Sequence, residues 1–584
     1  MSTATAAQRK KPSNRAKTLA QPRQAEVVSA SNSQIHAAPS RSRFAGLEIT
    51  ERVWLVAAVS ILLLSVFLRF YALELKPMHH DEGVNGFFLT NLVRQGIYRY
   101  DPANYHGPTL YYLALPIVSL MGLETFSVRL LTAIAGVLTI LLILDWRRYI
   151  GTPAVLSAAL LLAVSPGAVF YSRYFIHEML FVLFTVGIVS AALRFYESGK
   201  VAYLAIAALS AALLFATKET AFVSLITLGL AWTVAWLWVE REVMWHKLLY
   251  SIFRFPIPSA QKQRAKEHVR QHRRAAVDLH SVMARLGGKE RVLTLGLSML
   301  GLFILVNILF YSSFFTNWPG VKGALDSLQI WTQTGTSQFH EKPFGTYVGW
   351  LLQEEMPIFL LSFVGLYFAL YSERINRFAV FIAAWSFGIL VAYSLIPYKT
   401  PWLMLSFIIP MAVLAGYGIQ NLTHMAMGKL ERPLPALILL GIALVISSYQ
   451  TFVLNYREYD NDRYPYVYAH TNRELTSLVS QVEQIAQRAG TKEIGVSIAS
   501  PENWPLPWYF RDYPRVGYVG TVAERYDSRD TPVVIGRESA APNEDQTTNL
   551  IQALGPDYEK IGTYTLRPGV RLALWARHDL ARAR

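Results

Sequence analysis

The sequence of 584 residues contains no cysteine, which excludes disulfide bonds, thiolate metal sites and cysteine nucleophiles. Charged residues are also scarce, at 16% of the chain, whereas 53% of the residues are hydrophobic. A chain this apolar does not suit a soluble multidomain protein, and its apolar runs are too many for a single membrane span. The composition predicts a polytopic membrane protein, in which any catalysis comes from carboxylate, histidine, lysine, arginine or tyrosine side chains.

The positive charge is distributed in a way that indicates lipid rather than nucleic acid. The formal net charge is +15, but the basic residues gather in segments that flank apolar runs. Membrane lipids with anionic headgroups are the expected counter-surface, and we predict no nucleic-acid partner. The segment 240–291 alone carries 12 Lys and Arg residues, which is typical of a loop lying on a lipid surface, with a regulatory or partner-binding role as the alternative.

The composition divides the chain into three regions. Residues 1–50 are polar and basic and almost without aromatic side chains, so they cannot bury enough surface to become ordered, and we predict a disordered cytoplasmic tail. Residues 51–455 are the predicted transmembrane domain, with outer loops at 73–125 and 313–350 and a basic cytoplasmic loop at 240–291. Residues 456–584 are the predicted soluble α/β domain, because the helical pattern of NRELTSLVSQVEQIAQ precedes the strand-like pieces EIGVSIAS, RVGYVG, TPVVIG and RLALWAR.

Eleven apolar runs are long enough, or nearly so, to cross a bilayer. They lie at about 53–72, 126–145, 153–171, 178–195, 201–216, 220–239, 292–312, 355–371, 378–396, 402–421 and 434–454. We interpret a further apolar piece, 109–123, as a re-entrant or juxtamembrane helix, because counting it as a span would invert the topology after it.

The positive-inside rule supports this topology. With the amino terminus inside, the inner segments hold 29 Lys and Arg residues, whereas the outer connections up to residue 401 hold 8. The predicted fold is therefore mainly α, a multi-pass protein of the cell membrane with about eleven transmembrane helices. Its amino terminus is cytoplasmic, and its carboxyl-terminal domain is extracytoplasmic.

The stretch HHDE at 79–82 follows the first apolar run and opens an amphipathic helix. Asp81 is predicted as the helix N-cap, and Glu82 lies in the first turn, where the helix dipole favours an anion. A capped interfacial helix needs one short polar residue, whereas this site has two histidines and two carboxylates in a row. Because a carboxylate at an apolar boundary can act as a general base, Asp81 and Glu82 are candidate catalytic residues, and His80 is a candidate substrate-binding residue.

Further polar residues fall on the same side of the bilayer under this topology. They are His106, Arg173, His177, Glu178, Lys218, Glu219, His340 and Lys399. Arg173 and His177 lie four residues apart and share a helical face. Arg173 either belongs to the site or forms a structural bridge to Glu178, and Lys218 either pairs with Glu219 or neutralises a phosphate.

Lys399, in SLIPYKTPWLML, stands between two prolines at the junction of two spans. The prolines break the helix and leave free backbone donors beside an ammonium group with no adjacent carboxylate. This combination suits a phosphate group, and a lysine that snorkels to the membrane surface is the alternative.

No metal is assigned from the sequence. His79, His80, Glu178 and His340 are conceivable ligands for a divalent ion, but no HxxxH or HExxH spacing supports such a site. His106 and His340 lie in outer loops, where most histidines are surface or hydrogen-bonding residues, and both remain candidates for substrate binding.

Three motifs together resemble a known family. The Asp-Glu pair after the first membrane helix resembles the signature of polyprenyl-phosphate-sugar-dependent transferases of the GT-C fold, which include protein O-mannosyltransferases and lipid A aminoarabinosyltransferases. The set HHDE, HGPTLYY and YKTPW is more similar to a bacterial and archaeal branch of flippase-associated glycosyltransferase-like proteins, which also carry a soluble tail. The resemblance covers roughly residues 53–421.

The resemblance implies a donor, an acceptor and roles for several residues. The donor would be a polyprenyl-phosphate sugar, its phosphate held by Tyr398 and Lys399, and the acceptor a lipid, a glycan or a protein. Glu178 would be a second acidic catalytic residue facing the pocket, with Arg173 and His177 binding substrate, although the family's Arg-then-Asp pattern here reads Glu178 preceded by His177. Asp81 would deprotonate the acceptor, and a single base with a preformed leaving group predicts inversion at the anomeric carbon.

Two other functions are consistent with parts of the sequence. A transporter or flippase for a lipid-linked sugar would use a similar charged cavity, but it should show related halves and broken helices near mid-membrane. The second alternative is an inactive membrane scaffold whose outer domain binds a partner. The aromatic piece PENWPLPWYFRDYP in that domain is more typical of core and turn residues than of a sugar-stacking platform.

Overall fold

The computed structural model describes residues 43–44, 47–104, 106–253, 286–335, 341–372, 375–430, 432–538 and 545–581. The chain divides into two compact units, residues 1–49 and residues 50–584. In the first unit, strands β1 (Arg43–Phe44) and β2 (Leu47–Glu48) form an antiparallel pair. The rest of the predicted tail, and residues 254–285 of the predicted basic loop, lie outside the described residues.

The second unit is mainly helical up to residue 457. Its helices are α1 (Glu51–Phe70), α2 (His80–Gln95), α3 (Thr109–Met121), α4 (Thr125–Leu144), α5 (Arg147–Ile150), α6 (Thr152–Ala163), α7 (Pro166–Ser172), α8 (Glu178–Ser198), α9 (Val201–Phe215), α10 (Ala221–Phe253), α11 (Lys289–Tyr311), α12 (Pro319–Gly335), α13 (Thr346–Glu354), α14 (Met356–Tyr371), α15 (Arg377–Leu395), α16 (Leu405–Leu430) and α17 (Leu434–Phe452). Single turns of 3₁₀ helix lie at Pro102–Asn104 and Pro401–Met404, and a π-helical turn lies at Val453–Arg457.

The structure confirms the mainly helical membrane fold but not the count of eleven spans. Among the described residues, eight helices are long and apolar enough to cross a bilayer, and the number rises to ten if two bent pairs each count as one span. The predicted span at 201–216 corresponds to α9, whose 15 residues extend only about 22 Å at about 1.5 Å per residue. A hydrocarbon core is about 30 Å thick, so α9 is short for a full crossing.

Helix α9 nevertheless returns to the end of the bundle at which α8 begins. Helix α8 ends at Gly199, whose positive φ of 65° reverses the chain, and α9 starts two residues later. After α9, the Lys218 ammonium lies 2.5 Å from the carboxylate of Glu178, the first residue of α8. The residues before α8 and after α9 therefore lie at the same end of the molecule.

The predicted span 153–171 is a broken helix, and a second break lies at the start of the predicted span 355–371. The two breaks touch each other. Helices α6 and α7 meet at 60°, and helices α13 and α14 meet at 110°. At the first break, the Ser165 hydroxyl and the Gly167 amide both donate to Oε1 of Glu355 at the second break, each over 2.8 Å. Because a break exposes backbone groups that lipid cannot satisfy, the buried carboxylate stabilises the break at Ser165.

The carboxyl-terminal region is a small α/β fold, as the sequence pattern predicts. Its helices are α18 (Glu474–Arg488), α19 (Leu506–Tyr509), α20 (Asp545–Leu554) and α21 (His578–Ala581), and its strands are β3 (Val496–Ala499), β4 (Val516–Val519), β5 (Val533–Glu538), β6 (Tyr558–Arg567) and β7 (Val570–Arg577). The sheet order is β4-β3-β5-β7-β6, with β3 parallel to β4 and β5, and β7 antiparallel to β5 and β6. Strand β6 is not among the predicted strands, because this half-buried edge lacks a continuous apolar run.

The carboxyl-terminal region packs directly on helix α2. The hydroxyl of Tyr509 accepts a hydrogen bond from the Met78 amide over 2.8 Å. A Cβ atom added to Gly83 would lie 2.7 Å from the Cβ of Pro505, and one added to Gly86 would lie 2.4 Å from the ring of Trp508. The aromatic piece 501–514 therefore packs in the core, against the start of α2.

Replacing Gly86 by Ala should loosen this contact. The added methyl group meets the buried Trp508 ring rather than a flexible side chain, so we expect a loss of about 1–3 kcal/mol of stability. The measurement is the unfolding midpoint of the detergent-solubilised protein. Gly441→Ala in α17 is the matched control, because nothing lies within 4 Å of its Cβ position. Equal midpoints for the two variants would contradict the described packing.

Candidate active site

Helix α2 begins at His79 rather than at Asp81, so the predicted N-cap is wrong. The Nδ1 atom of His79 accepts from the Asp81 amide over 3.0 Å, and the Glu82 carboxylate accepts from the His79 amide over 3.0 Å. These two reciprocal bonds form a capping box, which satisfies the first donors of the helix. The side chain of Asp81 therefore does not cap the helix.

Glu82 is held by contacts on all sides. It forms a two-pronged ion pair with Arg129 of α4, at 2.8 Å and 2.7 Å, and both side chains are fully buried. It also accepts from the amides of Phe175 and His79. Burial raises the pKa of Glu82, but the charge and hydrogen bonds of Arg129 outweigh it and hold the pKa below its ordinary value. These contacts make Glu82 a positioning residue, rather than the catalytic residue predicted from the sequence.

The Asp81 carboxylate lies in a more open position. Its side chain is 39% exposed, and Nδ1 of His79 lies 3.9 Å from Oδ2. Burial of Tyr468, in the carboxyl-terminal region, raises its pKa to about 12, and the nearby Tyr398 and Asp81 add to this shift. On the other side, Nη1 of Arg567 lies 3.4 Å from Nδ1 of His80. Asp81 and His80 thus lie next to Tyr468 and Arg567 of the carboxyl-terminal region.

The pairings of the remaining charged candidates differ from those expected. Lys218 pairs with Glu178 rather than with its neighbour Glu219, and both members of the pair are buried. The Arg173 guanidinium donates to the carbonyl groups of Leu68, Arg69, Tyr71 and Ala72 at the end of α1. Arg173 is therefore a structural cap of α1, neither a partner of Glu178 nor part of the cavity wall.

The HGP segment docks on the turn that contains Lys218 and Glu219. The Gly107 amide donates to the Thr217 carbonyl over 3.1 Å, and a Cβ on Gly107 would lie 2.1 Å from the carbonyl oxygen of Ala216. Nδ1 of His106 lies 3.1 Å from Oε2 of Glu219. The His177 ring is buried beside His106 and makes a 3.2 Å hydrogen bond with the Gly107 carbonyl, so His177 also holds the HGP segment in place.

A small, partly open cavity lies between these connections. Its walls are His106, Lys218, Glu219, Thr220, Trp331, Ile396, Tyr398, Thr400, Trp402 and Leu403. The cavity brings together three predicted substrate-binding residues, His106, Lys218 and Tyr398. Its mixture of aromatic and polar walls is that of a small-molecule site.

Two lysines lie beside one another at the edge of this cavity. Lys399 is 1% exposed, and its ammonium donates to the carbonyls of Ile396 and Lys342 over 2.7 Å and 3.1 Å. Burial and the neighbouring Lys342 lower the pKa of Lys399. In the part of the chain that the structure describes, no carboxylate forms an ion pair with either lysine. Lys342 is not among the site residues predicted from the sequence, because its only local signal is its place in EKP, two residues after His340.

Tyr468 connects the cavity with Asp81. Its ring lies 6.1 Å from that of Trp402 in the cavity wall and 5.3 Å from the Lys342 ammonium. Its carbonyl bonds to Nε2 of His79, two residues before Asp81. Asp81 does not line the cavity, and Tyr468 joins the two. No local pattern marks Tyr468, because its importance comes from contacts with residues hundreds of positions away.

One predicted residue and one predicted ligand set cannot be placed. His340 lies outside the described residues. Within the described ranges, no three His, Asp or Glu side chains are grouped so as to hold a metal ion.

One family matches part of the chain. The sequence model of the family described as dolichyl-phosphate-mannose-protein mannosyltransferase matches residues 105–257, about a quarter of the chain. This segment contains the HGP motif, the helix break before α8 and the turn with Lys218 and Glu219. No curated protein sequence matches the chain.

Solved structures match over nearly the whole chain. ArnT from Cupriavidus metallidurans in the apo state has a TM-score of 0.54 at 13% identity, covering 91% of this chain and 99% of that chain. The same protein bound to undecaprenyl phosphate has a TM-score of 0.55 at 15% identity, covering 92% and 100%. The Archaeoglobus fulgidus oligosaccharyltransferase, in complex with Zn and sulfate, has a TM-score of 0.43 at 14% identity, covering 82% and 68%.

At these identities the matches to ArnT establish the fold. The chain has the GT-C fold, a helical membrane domain followed by a small α/β region, which confirms the fold class predicted from the sequence. The partial family match agrees with the predicted superfamily of membrane glycosyltransferases. Neither finding favours the transporter alternative.

The pairing of Glu82 with Arg129 predicts that Glu82→Gln destabilises the fold. The variant leaves a buried guanidinium without its counter-charge, and breaking a buried ion pair costs about 3–5 kcal/mol. Because the pKa of Glu82 is lowered in the folded protein, its contribution is full above the unfolded value of about 4.3 and is lost as the pH falls further. The measurement is the unfolding midpoint of the detergent-solubilised wild type and variant at a series of pH values from about 3 to about 8. This range includes the pH at which a carboxyl group titrates, so the series measures both effects.

The half-exposed neighbour provides the control for this experiment. Asp81→Asn should keep the wild-type midpoint, since its carboxylate is 39% exposed and lies 3.9 Å from the His79 ring, beyond hydrogen-bond distance. A Glu82→Gln variant that is as stable as the wild type but has lost activity would instead place Glu82 in the chemistry.

Proposed function

We propose that the protein is an integral-membrane glycosyltransferase that moves a sugar from a polyprenyl-phosphate donor to a lipid, glycan or protein acceptor. The reaction takes place on the extracytoplasmic face of the cell membrane, the side to which the positive-inside rule assigns Asp81 and Lys399. The fold and the family match support the class of enzyme. The neighbour of the same fold that is bound to undecaprenyl phosphate supports the type of donor.

The observation that carries the proposal is the position of the uncompensated charges. Lys342 and Lys399 lie together without a carboxylate partner in the described structure, at the edge of a cavity with aromatic walls. Asp81 offers an exposed carboxylate on the other side of Tyr468. A phosphate needs cations, a sugar needs a pocket and an acceptor hydroxyl needs a base, and these three elements meet around Tyr468.

The lysines suit the leaving group. Burial and mutual repulsion lower the pKa of Lys399, and a phosphate dianion placed between the ammonium groups would relieve the repulsion. Tyr398, which lines the cavity, lies next to Lys399 in the connection between α15 and α16. Charge that develops on the departing phosphate is stabilised by such preplaced cations, which is the main electrostatic task of the reaction.

The reaction then proceeds in one displacement. The acceptor loses its proton to the carboxylate of Asp81, and its oxygen or nitrogen attacks the anomeric carbon. The bond between that carbon and the phosphate oxygen breaks on the opposite face, and the polyprenyl phosphate leaves with the electron pair. No covalent sugar intermediate is required, so the configuration at the anomeric carbon is inverted.

Asp81→Asn should abolish transfer while leaving the fold intact. Removing a general base lowers the turnover number by about 10²–10⁴-fold. The measurement is transfer of labelled sugar from synthetic polyprenyl-phosphate donors by protein reconstituted in liposomes. Asp462→Asn, an exposed carboxylate in the segment that leads to Tyr468, is the matched control and should keep wild-type turnover. Full transfer by Asp81→Asn would show that Asp81 is not the base.

Lys342→Met and Lys399→Met should each weaken binding of undecaprenyl phosphate. A hydrogen bond to a charged group is worth about tenfold or more in affinity, and the salt dependence of binding should fall as a cation is removed. Retention of labelled undecaprenyl phosphate by the purified protein at low and high salt measures both quantities. Lys322→Met, an exposed lysine on α12, is the control. Unchanged affinity and salt dependence in both variants would place the phosphate elsewhere.

A further inference from the structure

Glu219 is the one carboxylate in the wall of the cavity, and one of its two oxygens has no hydrogen-bond partner in the described structure. Its side chain is 1% exposed. The Oε2 atom is engaged by Nδ1 of His106, but Oε1 is buried and has no hydrogen-bond partner among the described residues. A buried oxygen left in this way costs about 1–3 kcal/mol, so its position in the wall of a cavity requires an explanation.

The usual protein partner for such an oxygen is already committed. The adjacent Lys218 donates to Glu178, which lies 2.5 Å away. Glu219 cannot turn away from the cavity either, because the docked HGP segment holds His106 against Oε2. A ligand in the cavity that supplies an O–H or N–H donor satisfies Oε1 without disturbing either contact.

The other walls of the cavity indicate the kind of ligand. Trp331, Tyr398 and Trp402 contribute aromatic rings to the same space. A sugar ring presents apolar C–H faces, which pack on aromatic rings, and a rim of hydroxyl groups, which donate to buried acceptors. A phosphate or another anion would be repelled by the carboxylate of Glu219. The sugar therefore fits this part of the cavity, and the phosphate fits the edge with Lys342 and Lys399.

We propose that Glu219 determines the sugar specificity of the donor by accepting a hydrogen bond from one sugar hydroxyl through Oε1. The inference rests on the proposed function and adds to it a residue that selects the sugar. Glu219 acts in recognition, whereas Asp81, which is exposed and lies outside the cavity wall, acts on the acceptor. His106 is a positioning residue, since it fixes the carboxylate through Oε2.

The test measures binding separately from transfer. The probes are undecaprenyl phosphate carrying mannose, glucose or galactose, the single-deoxy analogues of each, and undecaprenyl phosphate without a sugar. Binding and transfer are measured for the wild type, Glu219→Gln, Glu219→Ala and the matched control Glu290→Gln, an exposed glutamate in the first turn of α11. The deoxy series on the wild type requires no variant to fold.

We expect one deoxy analogue to bind the wild type and Glu290→Gln about tenfold to a hundredfold more weakly than its parent sugar. Glu219→Ala should bind the parent as weakly as that analogue and no longer distinguish the two, while Glu219→Gln should distinguish them less than the wild type does. The loss is specific to one hydroxyl position, because a single oxygen of Glu219 is unsatisfied.

Three results would overturn the inference. In the first, the wild type binds all deoxy analogues and the sugar-free lipid with equal affinity. In the second, the folded Glu219 variants distinguish the deoxy analogues from their parent sugars as well as the wild type does. Alternatively, Glu219→Gln would bind normally but turn over slowly with a displaced pH profile, which would make Glu219 a proton-transfer group.

The same data separate this inference from the proposed function. Sugar-dependent binding that is lost in Glu219→Ala without any transfer supports the inference and overturns the proposed function. Transfer by a wild type whose binding ignores every hydroxyl supports the proposed function and overturns the inference.

Discussion

The buried ion pair of Glu82 and Arg129 fixes the geometry on which the candidate site depends. Its guanidinium also donates to the carbonyls of Leu73, Lys76 and Pro77, and its carboxylate accepts the Phe175 amide. The pair therefore joins the end of α1, the start of α2, helix α4 and the turn before α8. Since neither charge has access to water, each requires the other, and the four segments are held in one arrangement.

Most buried charges near the site are neutralised in this way, and the exceptions are informative. Glu178 pairs with Lys218, and Arg173 caps the end of α1. Around the cavity and Asp81, the described residues include lysines without an ion-pair partner at the cavity edge, the partly exposed carboxylate of Asp81 and one unpartnered oxygen of Glu219. Structural charges and functional charges thus differ in whether the protein itself completes their contacts.

The sequence predicted the segments of the site but not the pairings within it. Apolar runs, prolines and adjacent charges are local signals, so HHDE, HGP and YKTP could be recognised and assigned to one end of the bundle. The partner of Lys218 and the place of Tyr468 depend on contacts across 40 to 389 residues, whereas the cap at His79 is local and was assigned to its neighbour Asp81. Strand β6 and Lys342 likewise lack a local pattern, because their neighbours in space define them.

The central claim is that the cavity beside Tyr468 holds the sugar and phosphate of a polyprenyl-phosphate donor. A cryo-EM structure of the protein with a non-hydrolysable polyprenyl-phosphonate sugar tests it most directly. The account predicts the phosphonate between Lys342 and Lys399, with the sugar beside Glu219 and its anomeric carbon facing Asp81. A donor bound away from this cavity, or with its sugar far from Asp81, would contradict the account.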